Sequence, residues 1–290
     1  MSEAPARSDT TLGIIAGGGE LPTAIAAAAR EGGREVFVLG ISGMASESAL
    51  APFPHALAGL GELGKAIKLL KEAHCTEVTF AGRVPRPQFS KIKLDAKGAL
   101  ALPWIVGAAR RGDDALMRTV LGLFEKEGFR VIGSDEAAHA LLVPRGLIGG
   151  IEPDDQELAD IARAVKVVRA MGQHDIGQAA VVCEGLVLAI EAAEGTDEML
   201  RRVAELPEAL RGTPSARRGV LVKAPKPGQE RRVDLPVIGQ RTLDLAAAAG
   251  LGGIAVQAAS TLILHRHSMV TSADANGMFL LGFAAGDYPA

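Results

Sequence analysis

Short apolar strand segments alternate with helical segments through the first half of the chain, and this alternation constrains the fold more than any other feature. Leu12–Ala16 (LGIIA), Glu35–Leu39 (EVFVL) and Glu77–Ala81 (EVTFA) have the composition of buried strands. Leu21–Arg30 and Leu63–Ala73, which separate them, have helical periodicity. Strands joined by helices form parallel sheets with right-handed crossovers. The sequence therefore predicts a Rossmann-like α/β domain with a parallel sheet.

A second α/β domain is predicted beyond a break rich in proline and glycine. The break, Val143–Pro153, contains two prolines and three glycines. Asp154–Met171 then reads as a long amphipathic helix, and further strand candidates follow. A chain of 290 residues is long enough for two domains. We place the N-terminal domain at 11–142, a linker at 143–152 and the C-terminal domain at 153–286.

Composition excludes several classes of protein. A net charge of −3 and 3% aromatic residues argue against a nucleic-acid binder. Cys75 and Cys183 form no CxxC pair, which favours the reducing cytosol. The polar start has no apolar region of the kind that a signal peptide needs. Glycines interrupt the long uncharged run 245–264, which we interpret as helix, turn and strand rather than a membrane span. We therefore expect a cytoplasmic protein.

Gly17, Gly18 and Gly19 follow the first strand and precede a helix. Glycines in this position leave backbone N–H groups available to a phosphate, although neither a dinucleotide fingerprint nor a Walker motif is present. The alternative is a tight turn that only requires glycine. We favour phosphate binding.

Acidic residues give weaker signals. Asp113 and Asp114 could contact a metal or a ribose, but an acidic cap of the following helix is the favoured interpretation. Glu184 and Glu191 flank one predicted strand at an odd spacing, which would direct them to opposite sides. Thr196 is interpreted as a helix N-cap, with a hydroxyl that serves a phosphate only if left free.

A basic loop gives the densest signal. It contains Lys223, Lys226, Arg231 and Arg232, and a single aspartate, Asp234, follows. Lysine and arginine suit a diphosphate, and an aspartate beside them could hold Mg²⁺ or orient water. A solvated basic loop explains the same pattern equally well. Upstream, Gln178 at a strand start could contact uracil or water, or serve only the structure.

Five segments in order resemble one family: AGGGELP near the start, AGRVPRP at 81–87, RRGDDAL at 110–116, DIGQAAVVCEGLVLAIEAAEGTD at 175–197 and KAPKPGQERRVDLPVIG at 223–239. They are similar to the LpxI-type UDP-2,3-diacylglucosamine pyrophosphatases of lipid A biosynthesis. The resemblance extends from about Leu12 to Phe283. Arg83 departs from it, because an asparagine is expected there. Signatures of calcineurin-like and Nudix hydrolases are absent from the sequence.

The resemblance implies Mg²⁺-dependent hydrolysis of UDP-2,3-diacylglucosamine to UMP and 2,3-diacylglucosamine 1-phosphate (lipid X), in a cleft between two α/β domains, with attack at the β-phosphorus. Asp234 resembles the essential acid of the family. We predict Asp234 and Lys223 as catalytic residues and Asp234 and Glu184 as Mg²⁺ ligands. The predicted substrate-binding residues are Gly17, Gly18, Gly19, Asp113, Asp114, Gln178, Thr196, Lys226 and Arg232.

Two acyl chains on the substrate imply peripheral membrane contact at most, at the inner face of the inner membrane. An apolar cleft lined by Ala, Leu and Val is expected to receive them. A homodimeric state stays open. The alternative functions are a Rossmann-like nucleotide-binding protein without hydrolase activity, and a redox enzyme.

Overall fold

The computed structural model describes residues 11–85, 88, 92–227, 230, 232 and 235–288, without the side chain of Asp113. Its contacts divide the chain into two units. The first comprises Met1–Ala140 with Glu230–Asp234, and the second comprises Leu141–Gln229 with Leu235–Ala290.

The first unit contains a five-stranded sheet in which every strand pair is parallel. Its order is β3-β2-β1-β4-β5. Successive strands are therefore added on one side of β1 up to β3 and on its other side from β4 onward, and this change of side is the switch point of the sheet. The strands are β1 (Thr11–Ala16), β2 (Val36–Ile41), β3 (His55–Ala58), β4 (Cys75–Ala81) and β5 (Arg130–Val131). The helices are α1 (Leu21–Glu31), α2 (Glu47–Leu50), α3 (Leu63–Glu72), α4 (Ala96–Ala109), α5 (Asp113–Lys126) and α6 (Ser134–Ala137).

The second unit contains a six-stranded mixed sheet of order β6-β13-β11-β9-β7-β8 and a two-stranded sheet of β10 and β12. The strands are β6 (Gly146–Leu147), β7 (Ala179–Cys183), β8 (Leu186–Ile190), β9 (Val220–Lys223), β10 (Val237–Ile238), β11 (Gly253–Gln257), β12 (Leu262–Ile263) and β13 (Phe279–Phe283). The helices are α7 (Asp155–Gln173), α8 (Thr196–Ala204), α9 (Gln240–Ala248) and α10 (Arg266–Ala275).

These two separate sheets confirm the predicted fold class of two α/β domains, the first with a parallel sheet. Apolar side chains cover both faces of the second sheet and form separate clusters there. The segment interpreted as a linker belongs to this unit, because Val143 is buried and β6 pairs with β13. Among the described residues, no helix is long and apolar enough to cross a membrane.

Local chemistry explains where the long helix begins. The Asp154 side chain accepts a hydrogen bond from the backbone N–H of Glu157, and the Glu157 side chain accepts one from the N–H of Asp154. This reciprocal capping box satisfies two donors that a helix start otherwise leaves unpaired. The predicted start of the helix at Asp154 is therefore within one residue of the observed one.

Several elements differ from the sequence prediction, among them β3, α4 and α10. β3 and α4 were not expected. Helix α10 begins at Arg266, directly after a left-handed residue, His265. Polar residues start this helix without a side-chain cap, so the sequence contains no N-terminal signal for it.

Candidate functional site

The glycine turn lies at the carboxyl ends of β1 and β4, where the strand order of the first sheet reverses. Ligands of open α/β sheets bind at such a switch point. However, the N–H of Gly17 donates to the carbonyl of Ala81 over 2.8 Å, and that of Gly18 donates to the carbonyl of Arg83 over 2.9 Å. These two N–H groups are therefore not free for a phosphate, contrary to our expectation.

Close backbone approach explains why glycine is needed in this turn. A Cβ on Gly17 would lie 2.6 Å from the carbonyl oxygen of Arg83, and one on Gly82 would lie 2.7 Å from that of Gly18. Gly19 has a φ of +92°, which favours glycine. The tight-turn interpretation thus accounts for Gly17, and phosphate binding at Gly19 stays a prediction.

The acidic pair opens α5, whose N-cap is Gly112. Asp114 Oδ2 accepts a hydrogen bond from Nε of Arg118 over 2.7 Å, and its Oδ1 accepts one from the backbone N–H of Glu230 over 3.2 Å. Asp114 thus links the helix to the described part of the basic loop within the first unit, and α5 has no side-chain cap.

Arg232 is engaged by two carboxylates of the first unit. Its Nη1 lies 2.6 Å from Oε1 of Glu125, and its Nε lies 2.9 Å from Oε1 of Glu230. The hydrogen bonds with Glu230 and Glu125 raise the pKa of Arg232. The hydrogen bond with Arg232 in turn lowers the pKa of Glu230. The described contacts of Arg232 thus lie within the first unit, and a phosphate would have to compete with both carboxylates.

In the second unit, polar groups gather at one edge of the six-stranded sheet. β9, β11 and β13 are parallel to one another, and β7 is antiparallel to both β8 and β9. The carboxyl ends of β8, β9, β11 and β13 therefore meet at the same edge. Lys223 ends β9 there, only 6% exposed, and its Nζ donates to the carbonyl of Val237 over 3.1 Å.

Gln178 and Glu191 lie beside Lys223 at this edge. Ala179, which follows Gln178, pairs with Lys223, and the N–H of Ala224 donates to the Gln178 carbonyl over 3.1 Å. The Gln178 N–H donates to Oε2 of Glu191 over 3.0 Å. Glu191 follows β8 and is only 7% exposed, so a buried carboxylate holds the start of β7 against the end of β8.

Thr196 belongs to the same group of contacts. Its hydroxyl donates to Oε1 of Glu191 over 2.6 Å. The N-cap of α8 is Gly195 with a φ of 82°, so the interpretation of Thr196 as the N-cap is wrong. Glu191 is not among the predicted site residues, because its spacing from Glu184 in the sequence indicates only that the two flank one strand.

Acceptor atoms without partners mark the same edge. Among the described residues, four buried side-chain atoms have no hydrogen-bond partner: Thr79 Oγ1 on β4 of the first unit, and Gln178 Oε1, Gln240 Oε1 and Thr261 Oγ1 in the second unit. Gln178 precedes β7, Gln240 begins α9, and Thr261 lies between β11 and β12. A buried polar atom left unpaired costs free energy. A bound ligand or water would satisfy these atoms.

The structure does not bring Glu184 to this edge. Glu184 lies in the turn between β7 and β8, next to Cys183, whereas Lys223 pairs with Ala179 at the other end of β7. The Glu184 carboxylate lies 2.9 Å from Nη1 of Arg218. Lys226 remains close in sequence to Lys223, and its Nζ lies 2.7 Å from Oδ1 of Asp175.

Asp234 lies outside the described residues. Within the described part of the chain, no group of three or more His, Cys, Asp or Glu side chains could hold a metal ion. Both oxygens of Glu191 already accept hydrogen bonds, and Glu184 is at the wrong end of the strand. The described residues by themselves therefore do not fit a Mg²⁺ centre.

A parallel sheet in one unit, and in the other a mixed sheet with a buried lysine at the carboxyl ends of its strands, define a two-domain α/β protein, a class whose ligands bind at such edges. Family models described as the LpxI N-terminal domain and the LpxI C-terminal domain match residues 11–141 and 144–281. The chain belongs to the LpxI family. It is 51% identical over 271 residues to the UDP-2,3-diacylglucosamine pyrophosphatase LpxI of Caulobacter vibrioides, covering 93% of this chain and 96% of that protein. The resemblance drawn from the sequence segments is confirmed.

Proposed function

We propose that this protein hydrolyses the diphosphate bond of UDP-2,3-diacylglucosamine, giving UMP and 2,3-diacylglucosamine 1-phosphate for lipid A biosynthesis. The observation that carries the proposal is the 51% identity to the Caulobacter pyrophosphatase over nearly the full length of both chains. The unpaired buried polar atoms of Gln178, Gln240 and Thr261 in the unit that carries Lys223 would accommodate a polar ligand there.

In the proposed reaction, a water oxygen bonds to the β-phosphorus, and the bond from that phosphorus to the bridging oxygen breaks. The bridging oxygen leaves with UMP, and the water loses its protons to a base and to solvent. The substrate is an anion, so the attack requires neutralisation of its charge. Lys223 is suited to this role because its ammonium group is held at a sheet edge by the Val237 carbonyl.

We assign the positioning or deprotonation of the water to Asp234, on the strength of the family resemblance. A carboxylate in hydrogen-bond reach of the attacking water acts as a general base. The proposed substrate contacts are Gly19, Asp113, Asp114, Gln178, Lys226 and Arg232. Thr196 is not included, because its hydroxyl already donates to Glu191.

We also propose that the reaction requires Mg²⁺, which when bound withdraws charge from the diphosphate. Asp234 is the residue proposed to hold it. Mg²⁺ needs only one or two carboxylates when waters and phosphates complete its coordination. Glu184 is not included, because it lies at the far end of β7 from Lys223. A homodimeric state and a location at the inner face of the inner membrane stay predictions.

The test is turnover of UDP-2,3-diacylglucosamine by the purified protein, with UMP as the measured product, with Mg²⁺ and with a chelator. Asp234→Ala should lower kcat by roughly 10²-fold or more, while substrate still binds. Asp155→Ala, which removes an exposed aspartate from the start of α7, is the matched control and should retain normal turnover.

Three results would contradict parts of the proposal. Folded Asp234→Ala with normal kcat would end the assignment of Asp234, and full turnover in chelator would end that of Mg²⁺. Nucleotide binding without hydrolysis by the unmodified protein would favour a nucleotide-binding protein. In isotopically labelled water, label in the sugar phosphate rather than UMP is expected for attack at the β-phosphorus.

A further inference from the structure

Helix α4 buries small side chains and exposes large apolar ones, the reverse of the usual arrangement. The residues that it buries are small: Gly98, Ala101, Ala108 and Ala109. A Cβ on Gly98 would lie 2.0 Å from the carbonyl oxygen of Gly61, so the inner face is closely packed. Two large apolar residues, Leu100 and Trp104, are exposed instead, and Leu102, Ile105 and Val106 are half-buried.

Leu100 is 77% exposed and Trp104 is 74% exposed. Pro103 and Gly107 are exposed as well, and the spacing 100, 103, 104 and 107 places all four on one helix face. Trp104 is the single tryptophan of the chain. An exposed face with two large apolar residues on one helix marks an interaction surface.

The helix has very few polar residues for one that exposes a face to water. Lys97 is the single charged residue in its 14-residue sequence, AKGALALPWIVGAA. A helix that is apolar all round is normally buried or spans a membrane. At about 1.5 Å per residue, 14 residues extend about 21 Å, too short for a bilayer.

The charges around the helix identify the kind of surface that it fits. Lys93 precedes the helix and Arg110 and Arg111 follow it, and all three are exposed. Asp95, the single acid between 93 and 111, is used as the N-cap. This basic stretch belongs to a chain with a net charge of −3. Apolar residues with tryptophan, flanked by Lys and Arg, match the interface of an anionic bilayer.

We propose that α4 docks the protein on an anionic lipid bilayer, with Leu100 and Trp104 inserted at the level of the headgroups. The inference rests on the proposed function in one respect, because a substrate with two acyl chains resides in a bilayer. Lys93, Arg110 and Arg111 contact lipid phosphates, and their stems extend along the apolar surface.

Trp104 allows a direct measurement, because all tryptophan fluorescence comes from this one residue. Vesicles of phosphatidylethanolamine and phosphatidylglycerol should shift its emission to shorter wavelength and carry the protein upward in flotation. Vesicles of phosphatidylcholine alone should bind more weakly, and salt should weaken the binding to anionic vesicles.

Leu100→Ser/Trp104→Ser should lower flotation with anionic vesicles by about tenfold or more, since burial of each large apolar side chain is lost. Leu186→Ser changes a leucine that is 50% exposed on β8 and is the matched control; it should float normally. Equal flotation of the double variant, or no shift of Trp104 emission, would overturn the proposal. A dimer that the double variant converts to monomers would also overturn it, by assigning the face to a second copy.

Hydrolysis of detergent-dispersed substrate distinguishes this inference from the proposed function. The double variant should hydrolyse dispersed substrate at the normal rate but vesicle-borne substrate slowly. If the unmodified protein floats and hydrolyses neither form, the proposed function fails while the docking surface stands.

Discussion

The hydroxyl of Thr196 donates to the carboxylate of Glu191 over 2.6 Å, and both side chains are buried in the second unit. The other oxygen of Glu191 accepts from the backbone N–H of Gln178 over 3.0 Å. One carboxylate thus connects the start of α8, the end of β8 and the start of β7. It positions Gln178 next to Lys223 at the candidate site.

Glu191→Ala should therefore destabilise the second unit. It leaves the Thr196 hydroxyl and the Gln178 N–H buried without an acceptor, at a cost of about 1–3 kcal/mol for each group. Glu191→Gln retains one acceptor oxygen and should cost less. Urea denaturation followed by circular dichroism measures the effect. Glu198→Ala, which removes an exposed glutamate from α8, should change stability by less than about 0.5 kcal/mol; an equal loss in both variants would contradict the argument.

Elements with a strong local pattern were predictable. β1 and β2 are continuous apolar runs, and the Asp154–Glu157 pair marks the start of α7. β3 has the sequence HALA, too short and mixed to indicate a strand. In α4, Gly98, Pro103 and Gly107 lower the helix propensity, and the packing of its small residues against the first unit overrides that preference.

The candidate site was predictable only in part. Lys223 and Gln178 stand out as residues at strand ends in the sequence. The role of Glu191 depends on the register of the β7–β8 hairpin, which shifts between Val181 and Val182. That shift depends on tertiary contacts, so sequence spacing could not reveal that Glu191 lies beside Gln178.

A second prediction concerns Asp95, whose carboxylate caps two helices. Oδ1 accepts from the N–H of Gly98 over 2.7 Å in α4, and Oδ2 accepts from that of Lys65 over 3.0 Å in α3. Partial burial raises the pKa of Asp95, but the backbone hydrogen bonds from Gly98 and Lys65 outweigh it and leave that pKa lowered. Asp95→Ala should cost about 0.5–2 kcal/mol near neutral pH.

The pH dependence follows from the lowered pKa. Because the folded state binds this proton less tightly than the unfolded state, the stabilisation is fully present above the unfolded pKa of about 3.9. It is lost as the pH falls through the folded value. The difference in unfolding free energy between wild type and Asp95→Ala should therefore shrink in acid. Asp95→Asn, which keeps an acceptor oxygen and cannot titrate, is the control. A difference for Asp95→Ala that stays constant in acid would contradict this account.

The third prediction concerns the two cysteines, which are both buried. Burial raises the pKa of Cys75 to about 12, and it also raises the pKa of Cys183. The thiolate is the reactive form, so neither thiol should react with a disulfide reagent in the native protein near about pH 8. Both should react after unfolding in urea. Rapid labelling of either cysteine in the folded protein would refute the prediction.

The last prediction separates the two interpretations of the glycine turn. Gly17→Ala would place a Cβ 2.6 Å from the Arg83 carbonyl oxygen, and this backbone atom cannot move without disturbing the end of β4. We expect a loss of about 1–3 kcal/mol in the unfolding free energy. The control is Gly122→Ala in α5, where a Cβ has no neighbour within 4 Å, and it should stabilise the protein by about 0.5–1 kcal/mol.

The N–H groups of Gly17 and Gly18 already donate to the carbonyls of Ala81 and Arg83. Gly17→Ala should therefore alter stability more than UMP affinity, which calorimetry on folded protein measures. Normal stability together with lost UMP binding would favour a phosphate-binding role for Gly17.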